Sequence, residues 1–321
     1  MTDTHTTLLS QEFKALSASL GRNPLRVQGA GGNTSIKDDH TMWIKASGTE
    51  LAEAVTRDIF VAVDRSAALA EAMGQTGDGS CKGTVIDPKN ALRPSIETTF
   101  HAALDWTVVA HTHSVATLAH VISPEGRLRA DQKLQGLPFV QVPYAKPGLR
   151  LTQEILKRVQ ANTQIILLQN HGLICCGATV QEVRALMDEV EQRLDLKPNA
   201  PSYTPDQEAP EGYRWAHESW LALYAEDRIL GGTYYPDHTV FLGPALPTKP
   251  SPDWPAYVVE GVGIALRETA TPSQKAMLRC LGDVLARVPS EWTLEPIGAK
   301  AEQELLNWDA EKYRQALAEA S

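Results

Sequence analysis

Four side chains between positions 97 and 171 have the types and spacing for metal-assisted chemistry. His111 and His113 are two apart, so on an extended strand both imidazoles project from one face, close enough to share an ion. His171 lies within the apolar run Ile165–Ile174, where a buried imidazole is unfavourable unless it is ligated or hydrogen-bonded. Three neutral imidazoles with an open fourth position match a catalytic rather than a structural zinc site, in which the cation acts as a Lewis acid. The competing reading is a set of core histidines satisfied by backbone carbonyls. Glu97 is a carboxylate in an otherwise apolar helical stretch that leads into the histidine strand. Returned to the ion, it would serve as a general base, its pKa raised by burial and lowered by the cation. Without the histidines it would read equally well as a solvated helix glutamate. His101, one turn later, reads as a residue that orients this carboxylate or packs, not as a ligand.

Two small-residue turns could approach an anion closely, Gly29-Ala30-Gly31-Gly32-Asn33-Thr34-Ser35 and Lys45-Ala46-Ser47-Gly48-Thr49. Each also reads as a tight hairpin turn. Neither the dinucleotide-binding glycine pattern nor a P-loop is present.

The elements that must position these groups follow from periodicity. Residues 10–21 predict an amphipathic helix, with Phe13, Leu16 and Leu20 on one face and Gly21 at its end. Short apolar runs at Ser35–Lys37, Met42–Lys45 and Ile59–Val63 predict an early sheet. Pro94 suits the start of a helix over Ser95–Leu104, which is followed by a strand over Val108–His113. Ile165–Ile174 has the continuous hydrophobicity of one buried strand, and Val180–Leu196 predicts a helix. Four prolines between Lys197 and Gly212 exclude a regular element there. The division expected is a domain over 1–196, a linker over 197–212 and an α+β extension over 213–321. In that extension Tyr213–Ile229 has helical periodicity, Thr239–Leu242 and Ala256–Val259 look strand-like, and helices are expected near Ser273–Arg287 and Ala299–Ala318.

The chain has 321 residues, 43% of them hydrophobic, enough for a substantial core, and its net charge of −9 gives no general attraction for nucleic acid or an anionic membrane. No apolar run is long enough to span a bilayer, and the opening MTDTHTTLLS lacks the features of a signal peptide, so a cytoplasmic location is expected. Cys81, Cys175, Cys176 and Cys280 form no metal or disulfide pattern and read as reduced and structural.

Taken in order, Gly31-Gly32-Asn33-Thr34-Ser35, Lys45-Ala46-Ser47-Gly48, Pro94-Ser95-Ile96-Glu97 with His101, His111-Thr112-His113 and Asn170-His171-Gly172-Leu173 resemble the motifs of the class II aldolase/adducin family, over about residues 25–190. The resemblance implies an α/β class, a three-layer α/β/α fold around a central, mainly antiparallel sheet. It also implies a homo-oligomer, with a C4 tetramer favoured and active sites near subunit interfaces. In the family's pattern His111, His113 and His171 hold Zn²⁺ or another divalent metal, and Glu97 is the catalytic acid/base. Gly32, Asn33, Ser47, Gly48 and Ser95 then hold the substrate phosphate. One departure is Ile96, where many phosphosugar aldolases of the family carry a second serine. It removes a hydroxyl from the phosphate cradle and leaves a non-phosphorylated or differently held substrate open.

Tyr235–Gly243 and Asn307–Tyr313 resemble the end of the aldolase portion of bifunctional rhamnulose-1-phosphate aldolase/alcohol dehydrogenases. With the sequence ending at Ser321, no dehydrogenase half is expected. His238, inside the first of these stretches, reads as structural. The function that follows is zinc-dependent retro-aldol cleavage of a ketose phosphate or related hydroxy-keto compound through a metal-stabilised enediolate, with a small sugar-derived molecule as partner and neither nucleic acid nor membrane. Metal-dependent decarboxylation or epimerisation on the same fold is the alternative. A non-catalytic, adducin-like interaction module is disfavoured, because it would need neither the three histidines nor the carboxylate.

Overall fold

The computed structural model describes residues 8–319. The opening segment, read above as lacking a signal peptide, lies outside the described residues over positions 1–7, as do the last two residues of the expected extension. A seven-stranded sheet forms the centre of the molecule, from β1 (Asn33–Lys37), β2 (Thr41–Lys45), β3 (Phe60–Asp64), β4 (Val108–Thr112), β5 (Phe139–Val142), β6 (Ile165–Leu168) and β7 (Gly172–Gly177). Its order is β3-β2-β1-β4-β7-β6-β5, and β5 with β6 is the parallel pair, the remaining neighbours being antiparallel.

Alternation along the strands sends side chains to two apolar layers. Val109, Ile166, Leu168, Ile174 and Cys176 meet Phe100, Leu151 and Ile155 of helices Thr98–Ala103 and Leu149–Leu156. Val108, Ala110, Ile165, Leu167, Leu173 and Cys175 face the opposite way, toward helices Gln11–Gly21, Val115–Val121 and Val180–Leu194. The result is a three-layer α/β/α arrangement around a mainly antiparallel sheet. Each fully buried Leu, Ile or Phe contributes roughly 1.5–3 kcal/mol relative to exposure, so both layers hold the sheet. Caps fix where helices begin: Ser10 accepts the Phe13 N–H at 3.2 Å, and Thr271 and Gln274 form a reciprocal capping box on helix Pro272–Leu285.

Residues 195–212 carry no helix or strand. Beyond them stand a small antiparallel sheet, β8 (Tyr213–Trp215), β9 (Ala256–Val259) and β10 (Gly263–Arg267) in the order β8-β10-β9, and several helices. One apolar core runs through both parts, uniting Phe13, Val115 and Leu173 with Val240, Leu281 and Leu305. The four cysteines are all buried and unpaired. Among the described residues, no helix is long and apolar enough to cross a membrane.

Four local expectations are corrected. Ile165–Ile174 is not one strand but the hairpin of β6 and β7, turned at Asn170, whose φ of 54° is left-handed. Thr239–Leu242 is helical, as the end of helix Pro236–Leu242; Pro236 at the first turn and Asp237 beside it outweigh the β-branched composition. Tyr213–Ile229 is not one helix: β8 comes first, then a 3₁₀ turn at His217–Trp220 and short helices at Leu221–Tyr224 and Glu226–Leu230. Ala299–Ala318 is interrupted at Asn307–Trp308, giving helices Ala299–Leu306 and Asp309–Glu319.

Candidate active site

Strand register brings the histidines together. His111 is on β4 opposite Ile174 of β7 and Asn33 of β1; His113 follows the end of β4, and His171 immediately precedes β7 across the same boundary. Each of the three rings offers a nitrogen within 4.8 Å of the others, and all three residues are buried. The His111 Nδ1 is 3.0 Å from the carbonyl of Leu173, so its Nε2 faces the cluster. Glu97 is not inside a helix, as expected from the sequence, but is the residue that precedes helix Thr98–Ala103. That position swings its carboxylate between two rings, with Oε2 3.5 Å from His111 Nε2 and Oε1 3.5 Å from His171 Nε2.

The carboxylate is held in place from behind. The Asn33 amide donates to Glu97 Oε2 at 2.8 Å and to Ser95 Oγ at 3.2 Å. The amide in turn is oriented by His101, whose Nε2 donates to Asn33 Oδ1 while its Nδ1 accepts from Ser35 Oγ at 2.7 Å. His101 thus acts on Glu97 through Asn33, which gives the orienting role read from sequence a physical route. Burial and the charge of Lys37 hold its imidazole well below its usual pKa, in the neutral form this tautomer requires.

Burial also lowers the pKa of His111, and that of His171 to about 3, so both rings are neutral near pH 7 and keep the lone pairs a cation needs. Burial pushes Glu97 upward, yet attraction to the protonated forms of His111 and His171, which arise only at low pH, and the Asn33 amide outweigh it and leave its carboxyl below the ordinary value. The fit to a divalent cation is visible in the atoms left over. His111 Nε2 and Glu97 Oε1 are buried without a hydrogen-bond partner among the described residues, an arrangement that is costly unless something positive binds between them. Three imidazoles around an open position, with a carboxylate beside them, suit a catalytic divalent-metal centre.

Around this cluster the structure gathers every cradle residue expected from sequence. Gly32, Asn33, Ser47, Gly48, Ser95, Glu97, His113 and His171 line one cavity. Its free space is about 30 Å³, room for about two water molecules. Four further lining residues carry charge: Lys45, which opens the second small-residue turn, and Asp237, Glu311 and Arg314, which were not singled out as site residues in the sequence. Lys45 donates to the Ala30 carbonyl at 3.0 Å, and burial, aided by the charge of Arg314, lowers its pKa to about 7. Arg314 makes paired hydrogen bonds to Asp237 at 2.9 and 3.2 Å and a third to Glu311 at 2.9 Å. Glu311 and Arg314 are three apart on helix Asp309–Glu319, a buried ion pair on a face that otherwise reads as solvated, which was the signal available. His238 packs against Tyr234 and Tyr235, apart from the cavity lining.

The sequence pattern of the Class II Aldolase and Adducin N-terminal domain matches residues 11–197. The chain belongs to the class II aldolase and adducin family. It is 31% identical over 192 residues to the uncharacterized oxidoreductase YuxG of Bacillus subtilis, covering 53% of this chain and 27% of that one. The class II aldolase family chain thus spans about a quarter of that relative's length. It is 30% identical over 148 residues to the 3-oxo-tetronate 4-phosphate decarboxylase of Escherichia coli K12, covering 38% of this chain and 68% of that protein. To the L-fuculose phosphate aldolase of Methanocaldococcus jannaschii it is 24% identical over 183 residues, 53% of this chain and 85% of that one. Among solved structures, the N-terminal class II aldolase domain of a conserved protein from Thermoplasma acidophilum superposes with a TM-score of 0.52 at 26% identity, covering 60% of this chain and 94% of that one. The family is therefore an enzymatic one whose members include aldolases and a decarboxylase, and the chain's histidine cluster is suited to the metal such enzymes use.

Proposed function

We propose that the protein is a divalent-metal-dependent carbon–carbon lyase that cleaves a small, sugar-derived hydroxy-keto substrate by retro-aldol chemistry. The observation that carries this reading is the Glu97 carboxylate placed 3.5 Å from the ring nitrogens of both His111 and His171, with buried atoms unpartnered on each side. A divalent cation held by His111, His113 and His171, with zinc expected, supplies a Lewis acid that withdraws electrons from the substrate carbonyl. Glu97 is the one carboxylate at the centre whose own partner, Asn33, is a neutral amide, so it is free to exchange a proton with the substrate. In the cleavage direction its carboxylate takes the proton from the hydroxyl at the carbon that leaves, and it returns that proton to the carbon of the fragment left behind. Asn33, fixed by His101, keeps Oε2 turned toward the cluster throughout. Ser47, Gly48 and Ser95 remain the candidates for holding the substrate's distal end, with Ile96 narrowing the set of hydroxyls.

Decarboxylation is the second reading, supported by the 30% identity to the Escherichia coli decarboxylase over 68% of its length. It makes the same electron demand on the same carbonyl but breaks the bond to a carboxylate. Both are tested by offering metal-loaded protein a panel of ketose phosphates, free ketoses and 3-oxo acids and identifying the products. Aldehyde release supports cleavage and carbon dioxide release supports decarboxylation. A chelator should abolish either activity and zinc should restore it; full activity after the metal is stripped overturns the proposal. Glu97→Gln should keep the metal and lose about 10²–10⁴-fold in turnover, the range general acid–base catalysis supplies.

A further inference from the structure

His111 and His113 are oriented by different groups. His111 has its Nδ1 at 3.0 Å from a neutral backbone carbonyl, Leu173. His113 has its Nδ1 at 3.1 Å from the Oδ2 of Asp237, in the first turn of helix Pro236–Leu242. Gly31 makes this approach possible, since a Cβ there would stand 2.9 Å from the His113 ring nitrogen and 3.0 Å from the same carboxylate oxygen. Asp237 is itself fixed by the two hydrogen bonds from Arg314, and it is 2% exposed. An imidazole that donates its Nδ1–H to a locked carboxylate has one tautomer and one ring orientation, and presents Nε2 as a more basic donor.

We infer that Asp237, held by Arg314, is a positioning residue that orients His113 for metal binding, so that the segment beyond the family's matched region, which ends at residue 197, completes the metal centre. The inference rests on the reading of the histidine cluster as a metal site. Both carboxylate oxygens of Asp237 are engaged, by Arg314 and by His113, so it acts through the His113 ring. A residue of this kind typically changes metal affinity 10–100-fold.

The test is metal binding by the full-length protein, measured for zinc by competition with a chromophoric chelator and for cobalt by its visible spectrum, with melting temperatures recorded alongside. Wild-type protein should bind one equivalent. Asp237→Ala should weaken zinc binding 10–100-fold and alter the cobalt band, because the ring loses its preferred orientation. Asp237→Asn keeps an oxygen that accepts the Nδ1–H without its charge, so it should fall between the two and serves if the alanine variant does not fold. Affinity within twofold of wild type in a folded variant, with the cobalt spectrum unchanged, overturns the inference and leaves the metal reading intact. Absence of metal from wild-type protein overturns both.

Discussion

On the sheet side of the molecule, several buried basic groups are pushed toward their neutral forms by burial, whereas beyond Pro236 the Asp237 carboxylate and the Arg314 guanidinium are buried as an ion pair that keeps both charged. His101, His111 and His171 lose their protons to burial, and the nearby Lys37 on β1, its Nζ buried without a hydrogen-bond partner among the described residues, has its pKa lowered to about 7. Across the cavity Arg314 donates two hydrogen bonds to Asp237 and one to Glu311, whose pKa burial nonetheless raises and whose Oε1 has no hydrogen-bond partner among the described residues. Desolvation acts on both sides; what differs is that Arg314 meets Asp237 in a paired, hydrogen-bonded contact, whereas Glu97 stands 3.5 Å from the rings and the Lys37 ammonium has no hydrogen-bond partner among the described residues. A surface prepared for a cation needs lone pairs and tolerates few fixed positive charges, while a wall that only orients a ligand can be built of closed ion pairs. The comparison makes an unusual demand on mutagenesis: replacing a buried cation by methionine should have opposite signs on the two sides.

The larger effect is expected at Arg314. Arg314→Met strands Asp237 and Glu311 as neighbouring buried carboxyls, and breaking one partner of a buried pair costs about 3–5 kcal/mol. Denaturant unfolding monitored by tryptophan fluorescence measures it. A loss under about 1 kcal/mol would mean that the pairing on this side is not what holds its charges, and the contrast with the sheet would fail.

Lys37→Met should instead stabilise. In wild type, the folded state gives up the Lys37 proton near pH 7 and the unfolded chain near 10.5, so between these values the unfolded state binds more protons and stability rises with pH. Below pH 7 the burial penalty is fully present, and above 10.5 it is gone. At about 1.4 kcal/mol per pKa unit the penalty has a ceiling on the order of 4–5 kcal/mol, lowered in practice by water penetration. Methionine at this position removes the penalty, so melting temperature should rise most at pH 6–7 and the gain should shrink toward pH 10.5. A pH-independent gain would assign the effect to packing; a loss would reveal a role for the ammonium.

What could be read from sequence divides along the same line. The sheet side was legible because its information is local: His111 and His113 share a face by strand alternation, Glu97 sits just upstream, and the short runs that became β1, β2 and β3 announce themselves by composition. Misreadings there were about where an element turns. Asn170 and Gly172 in the middle of an apolar run marked the β6–β7 hairpin, and continuous hydrophobicity hid it. The other wall was illegible because it is assembled at long range. Asp237 meets Arg314 across 77 positions of sequence, and Glu311, three residues before Arg314, reads from sequence as part of an ordinary solvated helix pair. The β-branched Thr239 and Val240 suggested a strand, although Pro236 and Asp237 together signal a helix start. His101 stood between the two cases: its position relative to Glu97 was visible, but the amide through which it works, Asn33, comes from β1, more than sixty residues earlier.

The smallest effect concerns how the second wall is seated on the first. Gly48, at the cradle turn after β2, has φ of +79°, and a Cβ there would stand 2.2 Å from Leu317 Cδ1 on helix Asp309–Glu319. Gly48→Ala therefore carries two penalties, a left-handed backbone that alanine resists by roughly 1–2 kcal/mol and a collision with the end of a leucine side chain. Leu317→Ala removes the second and not the first. The double variant should accordingly be more stable than the sum of the single losses by about 0.5–1 kcal/mol, the coupling expected for residues in contact. The same pair reports on access, because Gly48 lines the cavity and Leu317 packs against it. If Leu317 blocks the cradle, Leu317→Ala should lower KM and leave kcat little changed, since Glu97 and the histidines are untouched. Additive stabilities together with an unchanged KM would mean that substrate enters by another route, and that the two walls meet at Gly48 without either controlling the other.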